Sequence, residues 1–428
     1  MNKAVLFFSL MPYIGISYLP TDIQPVFIVF GTVALLLSMI RSQLARVNYV
    51  VLAIVFLCFI SILTFLIQSL SRGYVEFYDL RALFGYVTPV VVLGYLYGFN
   101  KVEPKEFVFV LDLALFFVAL GFVLNLIGLT ALIQIFVSRA EVEGLGANRG
   151  LTSFFPEQSR VSTQMMLFGL LYLMLGALNH LRLVLLLLFS LLSASGQVFV
   201  NLAFLSGIVA ISYFIAARRF NSLRVGFLFL AAGFIAIASA VLYMAAENAD
   251  YLIAMGMPRR GVLAISGISN AGMAFIGQDL GILYKLSGFL QGVTTIFVYP
   301  ITFQVGSAYY LADDVIFSDV YLELAHYLFG ANAVPFPRRS FSIFGGWLTD
   351  FGVVGLLLFV SIFCSLWRTS LRLNNFRLYF ISLLVWFGLL FLFLFRSNSS
   401  DPTFWVVLAV YLFFLNRSIF ALEDKNNE

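Results

Sequence analysis

Residues 378–395, LYFISLLVWFGLLFLFLF, run for eighteen positions without a charged side chain. As a helix, such a segment is long enough to cover the hydrocarbon thickness of a bilayer. A single helix satisfies its own backbone polar groups there, which an open strand or loop does not. Further apolar runs fall at 4–18, 24–40, 48–68, 82–99, 107–128, 163–179, 183–195, 197–216, 225–246, 342–366 and 403–416. Together they predict about twelve crossings. The 428 residues are 62% hydrophobic and 11% charged, with mean hydropathy +1.00. A soluble core of that size cannot hide so much apolar surface. The fold expected is therefore an all-α polytopic membrane protein, a single integral domain over 1–428. The run at 183–195 ends in LLSASGQ and is expected to be short, broken or tilted. The N-terminal MNKAVLFFSL has no small-residue cleavage site after it and is read as a retained first helix. Cys58 and Cys364 lie in apolar runs and are expected as small core residues, with no metal site and no disulfide.

Orientation follows from basic loops that carry no acid: Arg41 and Arg46, then Arg218, Arg219 and Arg224, then Arg368, Arg372 and Arg377. Placing all three in the cytoplasm requires an even number of crossings between them. Six runs separate the first from the second and two the second from the third. Both termini then face the cytoplasm. Two long segments, 129–162 and 247–341, face outward as the third and fifth periplasmic loops. The uncharged run 286–305 inside the larger is read as interfacial or re-entrant, because a further full span would turn residues 367–377 outward.

Nearly all cations of the outer face are arginine, whose planar fork grips phosphate or carboxylate with fixed geometry. PRRG at 258–261 and PRRS at 337–340 bracket the large loop, so Arg259, Arg260, Arg338 and Arg339 are candidates for a diphosphate clamp or for headgroup anchors. In RGLTSFFPEQSR, residues 149–160, Pro156 and Ser159 signal a helix start. Glu157 is either a first-turn acid favoured by the helix dipole or an acid or base flanked by Arg149 and Arg160. Asp112 lies within a run and is expected to find a polar neighbour, a proton-coupling role being the alternative. Asp279 in GQDLG and His326 in ELAHYLFG are further titratable candidates. Tyr309, Tyr310, Tyr321 and Tyr327 are candidates for stacking on sugar rings.

The R…S-F-F-P-E-Q-S segment resembles the R…S-x-x-x-E-P-S pattern of O-antigen polymerases of the Wzy type, with PEQS in place of EPS. L-F-G-A-N at 328–332, then S-F-S-I-F-G-G-W-L-T-D-F-G-V-V-G at 340–355, is similar to that family's L-F-G-x-G segment. In the family an acid and two glycines follow, here Asp350, Gly352 and Gly355. Asp350 read alone is a helix cap or a partner for Arg338 or Arg339. The two glycines read alone permit close helix packing. The layout of about twelve helices with two large periplasmic loops is also the family's. An Arg-x10-Gly spacing is met by Arg139 and Gly150 but missed by one residue between Arg260 and Gly272.

The resemblance implies a glycosyltransferase of the bacterial inner membrane, acting in polysaccharide or lipopolysaccharide biosynthesis. Its donor would be an oligosaccharide linked to polyprenyl (undecaprenyl) diphosphate, with membrane lipids and a chain-length regulator protein as partners. It implies no cofactor, because arginines stabilise a leaving diphosphate without a metal. Glu157 is the first candidate for the base, Asp279 and His326 the others. No nucleotide-binding or nucleic-acid-binding pattern is present. An O-antigen ligase shares the donor chemistry, but His326 is followed by Tyr327 and Leu328 rather than by the ligase's Asn or Ser. A flippase or transporter would show two similar halves with short, even loops, and no such repeat is seen.

Overall fold

The computed structural model describes residues 2–15, 26–41, 48–98, 103–137, 151–156, 158–193, 196–220, 247–248, 251, 280–306, 314–315, 318–329, 342–395 and 400–426. Every regular element among them is helical. The first nine are α1 Asn2–Leu10, α2 Val26–Arg41, α3 Tyr49–Arg72, α4 Phe77–Leu93, α5 Pro104–Leu126, α6 Thr130–Phe136, α7 Gln158–Met174, α8 His180–Leu192 and α9 Gly196–Arg219. Then come α10 Leu280–Val298, α11 Asp319–Phe329, α12 Ile343–Phe351, α13 Val353–Ser370, α14 Phe376–Phe395 and α15 Pro402–Asn426. The run at 225–246 lies outside the described residues.

Among the described residues, five helical stretches are long and apolar enough to cross a membrane: Tyr49–Arg72, Asp79–Tyr97, Pro104–Leu126, Val353–Ser370 and Phe376–Phe395. This is consistent with a multi-pass membrane protein. The two faces of α3 make the point. Val50, Ile54 and Leu57 are buried against the bundle, while Leu52, Phe56, Phe59, Leu66 and Leu70 are exposed. Apolar side chains thus cover both faces, as a helix between protein and lipid requires. Cys58 is buried as expected, whereas Cys364 on α13 is exposed rather than part of the core.

Local chemistry sets the helix ends. The Asn48 side chain accepts from the Val50 amide at the start of α3, and Gly73 closes that helix in the left-handed conformation at φ 74°. Ser342 and Asn179 cap α12 and α8 in the same way as Asn48. Pro104 opens α5 where its missing N–H costs nothing. The first helix stops at Leu10, short of the apolar run, and α8 is the short helix the sequence suggests.

Helix direction places the charges. Val91 packs on Gly31 and Leu35 on Gly94, so α2 and α4 run side by side in one direction. Asn416, in the second half of α15, donates to the Tyr97 hydroxyl in the π-helical turn Gly94–Gly98 that continues α4. Ser370 and Ser382 share hydrogen bonds with Tyr411 at 2.8 Å, tying the end of α13 and the start of α14 to α15. Arg219 at the end of α9 donates to the Leu371 carbonyl at 2.7 Å. Arg41, Arg218, Arg219, Arg368, Arg372 and Arg377 therefore gather at one end of the bundle, hereafter the basic end. The starts of α4, α7, α13 and α15 lie at the opposite end.

The largest departure from expectation is in the run 342–366, which reads as one helix and is two. Gly352 interrupts it at φ 56° and ψ −131°, separating α12 from α13. The backbone groups freed by the break are taken up by the extended segment after α10. Val353 N–H donates to the Pro300 carbonyl at 2.9 Å, Gln304 N–H to the Asp350 carbonyl at 3.1 Å, and the Thr302 hydroxyl to the Thr349 carbonyl at 2.9 Å. The uncharged run 286–305 is thus most of a helix plus an extended strap. A Cβ on Gly292 would lie 2.7 Å from the Gly345 Cα, so α10 and α12 pack backbone to backbone. A Cβ on Gly355 would lie 2.3 Å from the Trp347 carbonyl oxygen, so this glycine serves the fold of the broken helix onto itself.

A Cβ on Gly352 would sit 2.2 Å from the Pro300 oxygen, in a backbone region that L-residues avoid. Gly352→Ala is expected to lose on the order of 3 kcal/mol of stability. Gly207→Ala on α9, where nothing lies within 4 Å, is expected to lose none. Thermal unfolding of the two purified variants in detergent checks the pair.

Candidate functional site

Three aspartates are buried at the end opposite the basic one, each held by a different chemistry. Asp79 in the first turn of α4 accepts from Arg72 at the end of α3, at 2.7 Å. Gly306 at the end of the strap seats against it, leaving 3.2 Å between a would-be Cβ and the carboxylate. Asp350 in the last turn of α12 accepts from the Tyr86 hydroxyl at 2.6 Å. A carboxylate there does not cap α12, whose start belongs to Ser342, and it opposes the helix dipole. Tyr86 meets it from α4, and the strap bonds to the backbone of residues 349, 350 and 353. Arg338 and Arg339 lie outside the described residues.

Asp401 is the third and is 3% exposed. It precedes Pro402 and accepts from the Thr403 amide at 3.0 Å, so it caps α15. Tyr13 also donates to it, and the Arg160 guanidinium acts on it from the first turn of α7. Burial raises the Asp401 pKa above the usual aspartate range, and Arg160, Thr403 and Tyr13 pull against that rise. A polar seam runs on from it. Gln164 donates to the Leu10 carbonyl at 2.6 Å and to the Thr403 hydroxyl at 3.0 Å, and Thr403 donates to the Ser9 carbonyl at 2.7 Å. This seam stitches α1, α7 and α15 together.

Residues 151–156, which lead into α7, pack into the bundle. Leu151 is half-buried and Thr152, Ser153, Phe154, Phe155 and Pro156 are buried. Ser153 takes a positive φ of 52°, donates its backbone N–H to the Asn125 side-chain oxygen at 2.8 Å, and donates its hydroxyl to the Val118 carbonyl at 2.7 Å. Gly121 leaves room for it, since a Cβ there would meet the Ser153 hydroxyl oxygen at 2.3 Å. Phe155 packs on Tyr13 with ring centroids 5.5 Å apart. Two phenylalanines thereby anchor the approach to Arg160.

The Asp350 and Asp401 clusters are joined by aromatic packing. Trp347, one turn before Asp350, stacks on Trp405, one turn after Asp401, with centroids 6.5 Å apart and planes at 16°. Below Arg160, an apolar cavity of about 220 Å³ opens among α7, α8 and α9, lined by Met166, Leu170, Leu186 and Leu205. Its polar lip is Ser162, whose hydroxyl accepts from Asn201 at 2.9 Å.

Of the residues singled out by sequence, the structure places Arg160 at Asp401, half-buried. His326 is exposed on α11, which packs on α10, and it makes no hydrogen bond to these clusters among the described residues. Tyr321 on α11 is fully buried, which removes it as a surface for sugar stacking, and burial raises its hydroxyl pKa. Glu157, Arg149, Asp279, Arg259, Arg260, Arg338 and Arg339 lie outside the described residues, as do Arg139, Tyr309 and Tyr310. Asp112 finds its polar neighbours near the basic end: Arg182 donates from two nitrogens at 2.9 and 2.7 Å, and Tyr172 donates at 2.7 Å. Asp401, Tyr86 and Asp79 are the functional candidates that sequence reasoning missed. The Asp-Pro pair ahead of an apolar run was the available signal for Asp401.

No protein-family model matches the chain, and no curated protein matches it.

An acid whose pKa is raised by folding binds its proton more tightly in the folded state. Ionisation of Asp401 therefore costs stability, a cost absent below roughly pH 4 and complete above the raised value. Asp401→Asn keeps a capping side chain and is expected to be at least as stable as the parent at pH 7, the gap closing as pH falls toward 4. Arg160→Ala leaves the buried carboxylate without its cation and is expected to lose about 3 kcal/mol, most of it regained in the double variant. Thermal melts of the three variants across pH test the sign and the coupling.

Proposed function

We propose that the chain is a polysaccharide polymerase of the O-antigen type, acting at the outer face of a bacterial inner membrane. In this reading about twelve helices cross the bilayer. The basic end and both termini lie in the cytoplasm, and segments 129–162 and 247–341 are the two large periplasmic loops. The observation that carries it is convergence. Two segments bear the resemblance, one leading into α7 and one spanning α12 and α13. Both lie at the same end of the bundle and are linked through α15: Arg160 acts on Asp401 ahead of that helix, and Trp405 in its first turn stacks on Trp347.

The chemistry is a displacement at the anomeric carbon of a glycan carried on polyprenyl diphosphate. The acceptor hydroxyl oxygen, on the terminal sugar of a new lipid-linked repeat, forms the glycosidic bond. The bond from the anomeric carbon to the diphosphate oxygen breaks, and the electron pair leaves with the lipid diphosphate. The hydroxyl proton passes to a base, for which Glu157, adjacent to the start of α7 and three residues from Arg160, is the first choice. Asp279 and His326 are the alternatives on the large loop. Arg160, with Arg149 and the pairs Arg259–Arg260 and Arg338–Arg339, supplies positive charge to the leaving diphosphate. Asp401 and Tyr13 act as positioning residues that fix the Arg160 head. The apolar cavity beginning two residues beyond Arg160 offers a place for the first isoprene units.

In a deletion strain of the source bacterium, the parent gene is expected to restore a ladder of polymerised surface glycan. Glu157→Gln and Arg160→Lys, expressed at parental levels, are expected to shorten or abolish it, with more than about tenfold loss of polymer. Gel analysis of extracted lipopolysaccharide and other surface glycans reads the result. Bare core with polymer accumulating on its lipid carrier would mean a ligase, and an unchanged glycan profile in the deletion would remove the glycosyltransferase reading altogether.

A further inference from the structure

A second, larger cavity lies at the basic end. It has a volume of about 550 Å³ and sits between the end of α7, the start of α14 and the middle of α15, residues 410–417. Its walls are apolar, with Leu173, Leu378, Ile381 and Phe413 among them, and two guanidinium groups line it, Arg377 and Arg417. Both arginines are exposed, and neither pairs with a carboxylate among the described residues. No acidic side chain among the described residues lines the cavity.

The charge arrangement is unfavourable as it stands. Arg377 occupies the second position of α14, and no acid lies in that helix's first turn. A cation there adds to the positive end of the helix dipole instead of offsetting it. Asn375, which lines the same cavity, spends its side-chain oxygen on the Leu378 amide at 3.2 Å, so its NH2 remains a further donor. Two guanidiniums, a helix start and an amide NH2 thus converge over a hydrocarbon-lined hollow. The complement is a phosphate monoanion joined to an acyl chain.

We propose that this cavity binds one anionic phospholipid of the surrounding leaflet, its phosphate between Arg377 and Arg417 and the upper part of one acyl chain against Leu378 and Phe413. The site is separate from the Arg160 cluster and stands whether or not the chain is a polymerase. Bound there, the lipid ties α7, α14 and α15 together at the end where the basic loops gather.

The test is native mass spectrometry of the full chain released from phosphatidylcholine nanodiscs doped with phosphatidylglycerol. The parent is expected to retain a single phosphatidylglycerol in preference to phosphatidylcholine. Arg377→Gln/Arg417→Gln is expected to lower that retention about tenfold or more. Arg218→Gln/Arg372→Gln removes the same charge from exposed positions at the same end but outside the cavity, and is expected to leave retention unchanged. Leu378→Trp keeps both cations and fills the hollow, and is expected to lose the bound lipid. Equal retention of the two lipids, equal loss in the control pair, or full retention in Leu378→Trp would each overturn the proposal. Any of these would leave only a diffuse attraction of anionic lipid to a basic surface.

Discussion

A backbone polar group inside hydrocarbon must find a partner within the protein, and the break at Gly352 is where that demand is hardest to meet. An uninterrupted helix would satisfy itself. A broken one exposes carbonyls at the end of α12 and amides at the start of α13, in a region walled by Trp347, Phe351 and Phe393. The strap at residues 300–306 meets the demand with two backbone hydrogen bonds and one from Thr302. Much of the opposite end is arranged around that join. Helix α10 must lie close enough for Gly292 to touch Gly345, Gly306 must reach Asp79, and Tyr86 must face Asp350.

The same rule governs the side chains. Asp79, Asp350 and Asp401 are buried without being isolated: Arg72 meets Asp79, the Tyr86 hydroxyl meets Asp350, and Thr403, Tyr13 and Arg160 meet Asp401. Aromatic contacts between Trp347 and Trp405, and between Phe393 and Phe404, hold two of these settings in register. At the basic end the polar groups instead close on themselves, as in the Ser370–Ser382–Tyr411 hydroxyl cluster and the Asp112–Arg182–Tyr172 group.

Hydrophobic runs made the helices legible, because apolar length is what a bilayer demands and what a sequence displays directly. The run at 48–68 became Tyr49–Arg72, with its ends written in Asn48 and Gly73. The basic loops were legible for the same reason, and the described helices carry Arg41, Arg218, Arg219, Arg368, Arg372 and Arg377 to one end. The break at Gly352 was not, since hydropathy is blind to φ, although a glycine directly after Asp350 and Phe351 carried the hint. Tyr86 was illegible as a site residue because its partner lies 264 positions away. Arg160 was legible from the charge it brings to an apolar setting. Its partner Asp401 was hidden, since an Asp-Pro pair before a helix announces a cap and says nothing about a distant arginine. Asp112 sits between: a lone acid in an apolar run implies a partner, and only the fold reveals Arg182.

The strap has one more consequence. By bonding residues 302 and 304 to residues 349 and 350, it holds together the two ends of the chain between them, so those ends stay fixed whatever that chain does. The entropy of closing a loop grows only with the logarithm of its length, about 0.6 kcal/mol for each doubling. Added length between the clamped ends is therefore cheap, but only away from the packed positions: Tyr321 is buried, Gly345 touches Gly292 and Trp347 stacks on Trp405, so changes there carry the cost of a packed core, as a methyl group at Gly352 does.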